Sequence, residues 1–205
     1  MLRVGLTGSI AVGKSYVSRV LAELGCHVLD ADATARAVVA PGSEGLKQVV
    51  AEFGAEVLSA DDTLDRAQLG RIVFADESRR ARLNAILHPL IMAAQDEWLR
   101  AREAEDPRGV AVIDAALMIE SGGYRRFAKL IVVHCRPEAQ LERLMRREQI
   151  TRAEAEQRIA AQMPQAEKMR YADFLIDTSD GFDAARRATE AVYQQLRALA
   201  ADESS

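Results

Sequence analysis

An α/β fold, a parallel sheet with helices on both faces, is what this sequence predicts, on three observations. Short β-branched runs recur at Leu2 to Leu6, His27 to Leu29, Val110 to Ile113, Leu130 to His134 and Phe174 to Ile176, each separated from the next by helical sequence. The runs are nearly continuous in apolar character rather than alternating, as in strands covered on both faces. The first run also leads directly into Gly8-Ser9-Ile10-Ala11-Val12-Gly13-Lys14-Ser15 and an amphipathic stretch from Ser15 to Leu24, a strand-loop-helix order found at the carboxyl edge of such sheets.

Residues 8 to 15 satisfy G-x-x-x-x-G-K-[ST], the phosphate loop, so the sheet is expected to be of the P-loop NTPase type. Gly8, Ala11, Val12 and Gly13 let consecutive backbone N–H groups turn inward on a polyphosphate that also sits at a helix N-terminus. Lys14 then reaches the β- and γ-phosphates, while the Ser15 hydroxyl takes one position on Mg²⁺, which prefers oxygen ligands and keeps several waters. ATP or GTP is the implied ligand.

The interval from Ala33 to about Glu105 has no convincing strand and reads as a helical insertion. Pro41-Gly42, Gly54 and His88-Pro89 punctuate it. Asp65 and Asp76 have the look of helix N-caps, and Leu69, Ile72, Val73, then Leu83, Ile86, Leu87 fall at helical spacing, a packing face. Pro89 is pre-set for the first turn of a helix carrying Ile91 and Trp98, with His88 before it as a cap, a packing group or a substrate contact. From Pro137 to Tyr171 comes a charged helical region. Arg143 and Arg147 share a helix face with Arg146 beside them, and Thr151 to Glu154 forms a capping box. Two readings stand side by side: a basic lid over phosphates, or a solvated face whose arginines pair with Glu142 and Glu148. A final helix from Phe182 to about Ala200 closes one face, and Asp202 to Ser205 are expected to fray. The predicted organisation is a core of residues 1–32 and 108–205, a lid at approximately 137–171 within it, and an insertion at 33–107.

The 205 residues can bury a real core, and the 49% hydrophobic and 28% charged fractions fit a soluble protein. A net charge of −4 supplies no global basic field, so no nucleic-acid partner is expected. Cys26 and Cys135 are isolated and read as reduced thiols. Without a signal-like N-terminus or a long apolar span, the expectation is a cytoplasmic protein with no membrane partner, a monomer or weak homo-oligomer.

Other residues decide where the bound phosphate goes. The single asparagine, Asn84, precedes Ala85, so no Asn-Lys-x-Asp guanine-reading motif exists. Val110 to Ile113 ends in Asp114 followed by Ala115, without the adjacent acid that activates water in motor ATPases. Transfer to an acceptor other than water fits better. An acceptor hydroxyl needs a carboxylate near its proton. His27-Val28-Leu29 runs into Asp30-Ala31-Asp32, and if the strand continues, both carboxylates point the same way at the sheet edge. Asp32 is expected as base or hydroxyl-orienting group with Asp30 in support, against the alternative that either caps the helix starting near Ala33.

With these residues in view the chain resembles the dephospho-CoA kinase family over nearly its whole length. Besides the phosphate loop, the likeness lies in Asp30-Ala31-Asp32 with Ala35-Arg36, Val38 to Gly42, Phe53-Gly54, Leu64-Asp65-Arg66, Leu87-His88-Pro89-Leu90, Arg158 to Gln162 and Ala172 to Asp177. The resemblance implies an α/β phosphate-loop kinase with a helical substrate domain for the CoA moiety and a lid. The implied reaction moves the γ-phosphate of ATP to the ribose 3′-hydroxyl of dephospho-coenzyme A; the alternative is a kinase for another small nucleoside or nucleotide. Carried over by position, Lys14 and Ser15 hold ATP and Mg²⁺, Asp32 faces the 3′-hydroxyl, and Arg143 and Arg147 are lid arginines, Arg143 neutralising the transferred group. Arg36, Leu87 and His88 fall in the substrate-facing region, and Asp114 joins the magnesium shell through water or is structural. Departures from the family pattern are Ser9 and Val12 in the loop, Tyr16 near the base or α-phosphate, and Thr178 in place of an asparagine. Ala115-Ala116 also lacks the usual proline, from which a more mobile loop is expected.

Overall fold

The computed structural model, which describes residues 1–202, contains all five expected strands: β1 (Leu2–Gly8), β2 (His27–Asp30), β3 (Val110–Asp114), β4 (Lys129–His134) and β5 (Phe174–Asp177). They form one sheet in the order β2-β3-β1-β4-β5, with the β1–β3, β1–β4 and β4–β5 pairs parallel. β1 lies at the centre, where Val4 and Leu6 are fully buried and Leu6 is in register with both Asp114 and Ile131. The carboxyl ends of β1, β3, β4 and β5 therefore share one edge.

The chain divides into two compact units, one of Met1–Leu29 with the chain from Arg102 onward, the other of Asp30–Ala101. In the first, α1 (Lys14–Glu23) and α9 (Phe182–Asp202) cover one face of the sheet through Val17, Leu21, Val192 and Leu196. The opposite face is met by Met118 and Phe127, both so close to Gly5 that a Cβ there would lie 2.5 Å from the Met118 sulfur. Three further helices come after β4: α6 (Pro137–Glu148), started by proline in its first turn, α7 (Arg152–Ala160) and the short α8 (Gln165–Met169). The expected capping box opens α7, with Thr151 and Glu154 each bonding the other's backbone. Of the residues expected to fray, Asp202 ends α9, and residues 203–205 lie outside those described.

The second unit is helical: α2 (Ala31–Ala37), α3 (Glu44–Phe53), α4 (Arg66–Ala75) and α5 (Glu77–Glu105, which crosses into the first unit at Arg102). Asp65 caps α4 through the Gln68 N–H, and Asp76 accepts from Ser78 and Arg79 at the start of α5. Leu69 is buried with Val49, Phe53 and Val57, and Ile72, Val73, Leu83, Ile86 and Leu87 pack against them. The expected start of a helix at Pro89 is overturned. Proline removes one backbone bond, yet α5 runs through it, carrying half-buried Leu83, Ile86 and Leu87 before it and buried Gln95 and Leu99 after it. His88 is thus an exposed residue inside a helix rather than a cap. No helix among the described residues is long and apolar enough to cross a membrane.

Candidate active site

The phosphate loop leaves the carboxyl end of β1 and folds back into α1. Gly8 admits no side chain, because a Cβ would lie 2.7 Å from the Val133 carbonyl oxygen. Two residues take the left-handed backbone that turns the loop: Ala11 (φ 60°) and Gly13 (φ 88°), the latter at the N-cap of α1. Gly13 makes no side-chain cap. Among the described residues no acceptor meets the backbone N–H of Ala11, Val12, Gly13, Lys14 or Ser15. Five consecutive main-chain donors without protein partners at a helix N-terminus form a cradle for an anion.

The cradle's cation is held ready. Lys14 Nζ pairs with the carboxylate of Asp114 at the end of β3, a residue only 7% exposed. Ser15 is exposed beside it in sequence, in the first turn of α1. Among the described residues no three His, Cys, Asp or Glu side chains cluster as a metal site. The Ser15 hydroxyl and Asp114 carboxylate are hard oxygen donors, which suit Mg²⁺ completed by phosphate and water.

The segment after Asp114, which lacks the family's proline, is hydrogen-bonded to β1 and to Lys168. Ala115 N–H donates to Leu6, and the Ala116 carbonyl accepts from the Thr7 hydroxyl (3.1 Å) and Lys168 Nζ (3.1 Å). Lys168 is fully buried and reaches Glu120 at 2.8 Å. Met118 and Ile119 are buried as well.

Beside the loop lies a cavity of about 290 Å³ lined by Gly13, Tyr16, Arg143, Arg146, Thr178 and Phe182, among others. Its aromatic wall is fixed by the Tyr16 hydroxyl donating to the Phe182 carbonyl (3.1 Å), with the two rings 4.8 Å apart. Thr178, 3% exposed, donates its hydroxyl to the Val12 carbonyl (2.6 Å) and takes two bonds from Arg143, at Oγ1 (3.0 Å) and at its carbonyl (2.6 Å). Of the arginines on α6, Arg143 and Arg146 line the cavity. Arg147 instead binds Glu148 (2.9 Å), as the solvated-face reading has it.

In the second unit, Asp30 and Asp32 do not alternate on a strand. β2 ends at Asp30 and α2 begins at Ala31, because the Asp30 carboxylate accepts from the N–H groups of Asp32 (2.8 Å) and Ala33 (3.1 Å) and so starts the helix. Asp30 also pairs with Arg36 at 3.7 Å. The exposed Asp32 carboxylate meets no partner among the described residues. Leu87 packs in the helical core.

The model of the dephospho-CoA kinase family matches residues 2–183. The chain belongs to the dephospho-CoA kinase family. It is 44% identical over 200 residues to the dephospho-CoA kinase of Geobacillus kaustophilus, covering 97% of this chain and 98% of that one. Among solved structures, a Thermus thermophilus protein superposes with a TM-score of 0.81 at 30% identity, covering 95% and 97% of the two chains. The dephospho-CoA kinase of Campylobacter jejuni superposes with 0.72 at 28% identity, covering 95% and 96%. Within the dephospho-CoA kinase frame, sequence reasoning passed over Gln140, Gln162, Gln165 and Lys168. Gln162 alone carried a signal, as the last residue of the Arg158 to Gln162 motif.

Proposed function

We propose that the chain transfers the γ-phosphate of ATP to the ribose 3′-hydroxyl of dephospho-coenzyme A, giving coenzyme A and ADP. The five consecutive backbone donors from Ala11 to Ser15, in a chain of this family, carry the reading. Donors fixed in advance stabilise charge on a transferred phosphoryl group without reorganising. Lys14 exchanges Asp114 for the β- and γ-phosphates, and Gly8, Ala11, Val12 and Gly13 shape the turn. Ser15 and Asp114 would hold Mg²⁺, which when bound would offset negative charge on the polyphosphate. Tyr16 and Phe182 flank the nucleoside, Arg143 meets the charge on the transferred group, and Arg147 draws in from Glu148 when the lid at 137–171 closes to exclude water.

Asp32 accepts the proton of the 3′-hydroxyl. Support comes from the division of labour with Asp30, which is spent on the α2 cap and leaves the Asp32 carboxylate unengaged. Arg36, Leu87 and His88 belong to the unit that receives dephospho-coenzyme A. We assign the protein to the cytoplasm, in keeping with the free, buried thiols of Cys26 and Cys135, and take it to be a monomer or weak homo-oligomer.

The test is Asp32→Asn assayed by ADP release and ATP binding. Turnover falls ~10²–10⁴-fold, the usual worth of a general base, while ATP affinity holds. Unchanged turnover removes Asp32 from this role. ADP release with other nucleosides but not dephospho-coenzyme A overturns the substrate.

A further inference from the structure

The cradle is held from behind. Ile10 has both backbone groups taken by side-chain amides: its N–H donates to Gln162 Oε1 (2.8 Å) and its carbonyl accepts from Gln140 Nε2 (2.8 Å). Gln140 is 2% exposed and in turn accepts from Gln165 Nε2 (2.8 Å), whose own Oε1 accepts from the Cys135 N–H (3.1 Å). The direction of this chain is forced at both ends. A carbonyl only accepts and an N–H only donates, so each amide has one workable orientation.

A trans peptide points its C=O and the next N–H in opposite directions, and the chain has no cis bond among the described residues. Gln140 pulls the Ile10 carbonyl outward, which turns the Ala11 N–H the other way, among the five donors without protein partners. Two residues on, the Thr178 hydroxyl does the same to the Val12 carbonyl (2.6 Å) and hence to the Gly13 N–H. The Ile10–Ala11 peptide needs its anchor more, because residue 11 sits at φ 60° with a Cβ, a conformation that alanine disfavours and glycine adopts freely.

We propose that Gln140 and Thr178 are positioning residues for ATP: they aim the Ala11 and Gly13 N–H groups at the polyphosphate by holding the preceding carbonyls. This rests on the loop holding the phosphates of ATP. Through Gln140 and Gln162, the helices α6 to α8 and the phosphate loop share hydrogen bonds, so nucleotide affinity depends on amides that never touch the nucleotide.

The experiment measures ATP affinity by calorimetry, together with KM for dephospho-coenzyme A and melting temperature, for Gln140→Leu, Thr178→Val and each combined with Ala11→Gly. Each single change weakens ATP binding about tenfold, the effect of one hydrogen bond, with KM for dephospho-coenzyme A within about twofold. Ala11→Gly restores at least about a third of the affinity lost in Gln140→Leu and nothing in Thr178→Val, whose peptide already ends on glycine. The near-isosteric Thr178→Val keeps the test open should Gln140→Leu not fold. ATP affinity unchanged in Thr178→Val, or an affinity loss in Gln140→Leu that Ala11→Gly leaves untouched, overturns the proposal. Lys14→Ala is run alongside: if it too binds ATP as the parent does, the loop reading itself fails.

Discussion

Replacing Lys168 by methionine removes an ammonium that has no access to water and holds two partners, the Glu120 carboxylate at 2.8 Å and the Ala116 carbonyl at 3.1 Å. Methionine fills most of the same volume, so the change is chiefly one of charge. Breaking a buried pair by deleting one partner costs about 3–5 kcal/mol, because the other charge stays behind. The Glu120 side chain is 24% exposed and so recovers some hydration, which favours the lower end of that range. For a domain of this size each kcal/mol moves the midpoint by about 2–4 °C, so about 3 kcal/mol lowers Tm by about 6–12 °C. Scanning calorimetry near neutral pH reads this directly. Adding Glu120→Leu to Lys168→Met recovers part of the loss, since no unpaired charge remains. A drop below about 2 °C, the size of a surface contact, rules out a buried pair of this strength, as does a double variant less stable than Lys168→Met.

Ser9 is buried, and its hydroxyl has no partner among the described residues, so Ser9→Ala raises stability by about 1 kcal/mol in urea unfolding. A lower midpoint contradicts this. Asp30→Ala removes the α2 cap and costs about 1 kcal/mol by the same measurement, whereas turnover stays far closer to that of the parent than in Asp32→Asn; equal losses of turnover in the two would merge their roles. Burial pushes the Cys26 thiol from 9.0 up to about 12. Above the lower value the unfolded chain has lost this proton while the folded chain keeps it, so stability falls as pH rises toward the upper value, by about 1.4 kcal/mol per unit. Comparing unfolding of the parent and Cys26→Ala across that window isolates the effect, and parallel curves would deny it.

The strands were legible because each is a short apolar run, the central β1, β3 and β4 buried nearly throughout and the edge strands β2 and β5 only in part, and the caps because Asp65, Asp76 and Thr151 act on donors within three residues of themselves. The phosphate loop was legible for the same reason, its geometry being local. Pro89 misled because a rule about one missing hydrogen bond was outweighed by packing on both sides of it. Asp30 and Asp32 misled because strand alternation and helix capping compete for the same residues, and the cap prevailed at Ala31. Gln140, Gln165 and Lys168 stayed hidden for a different reason. In sequence a polar side chain on a helix reads as solvated, and its burial depends on partners such as Ile10 and Glu120 far along the chain.

Whether the phosphoryl group reaches the ribose alcohol is read by phosphorus NMR of the mixture formed from ATP, magnesium and dephospho-coenzyme A. A new 3′-phosphate monoester resonance is expected to grow in step with ADP and to be absent with Lys14→Ala. Inorganic phosphate appearing with ADP while dephospho-coenzyme A stays unchanged would mean that water, not the 3′-hydroxyl, is the acceptor.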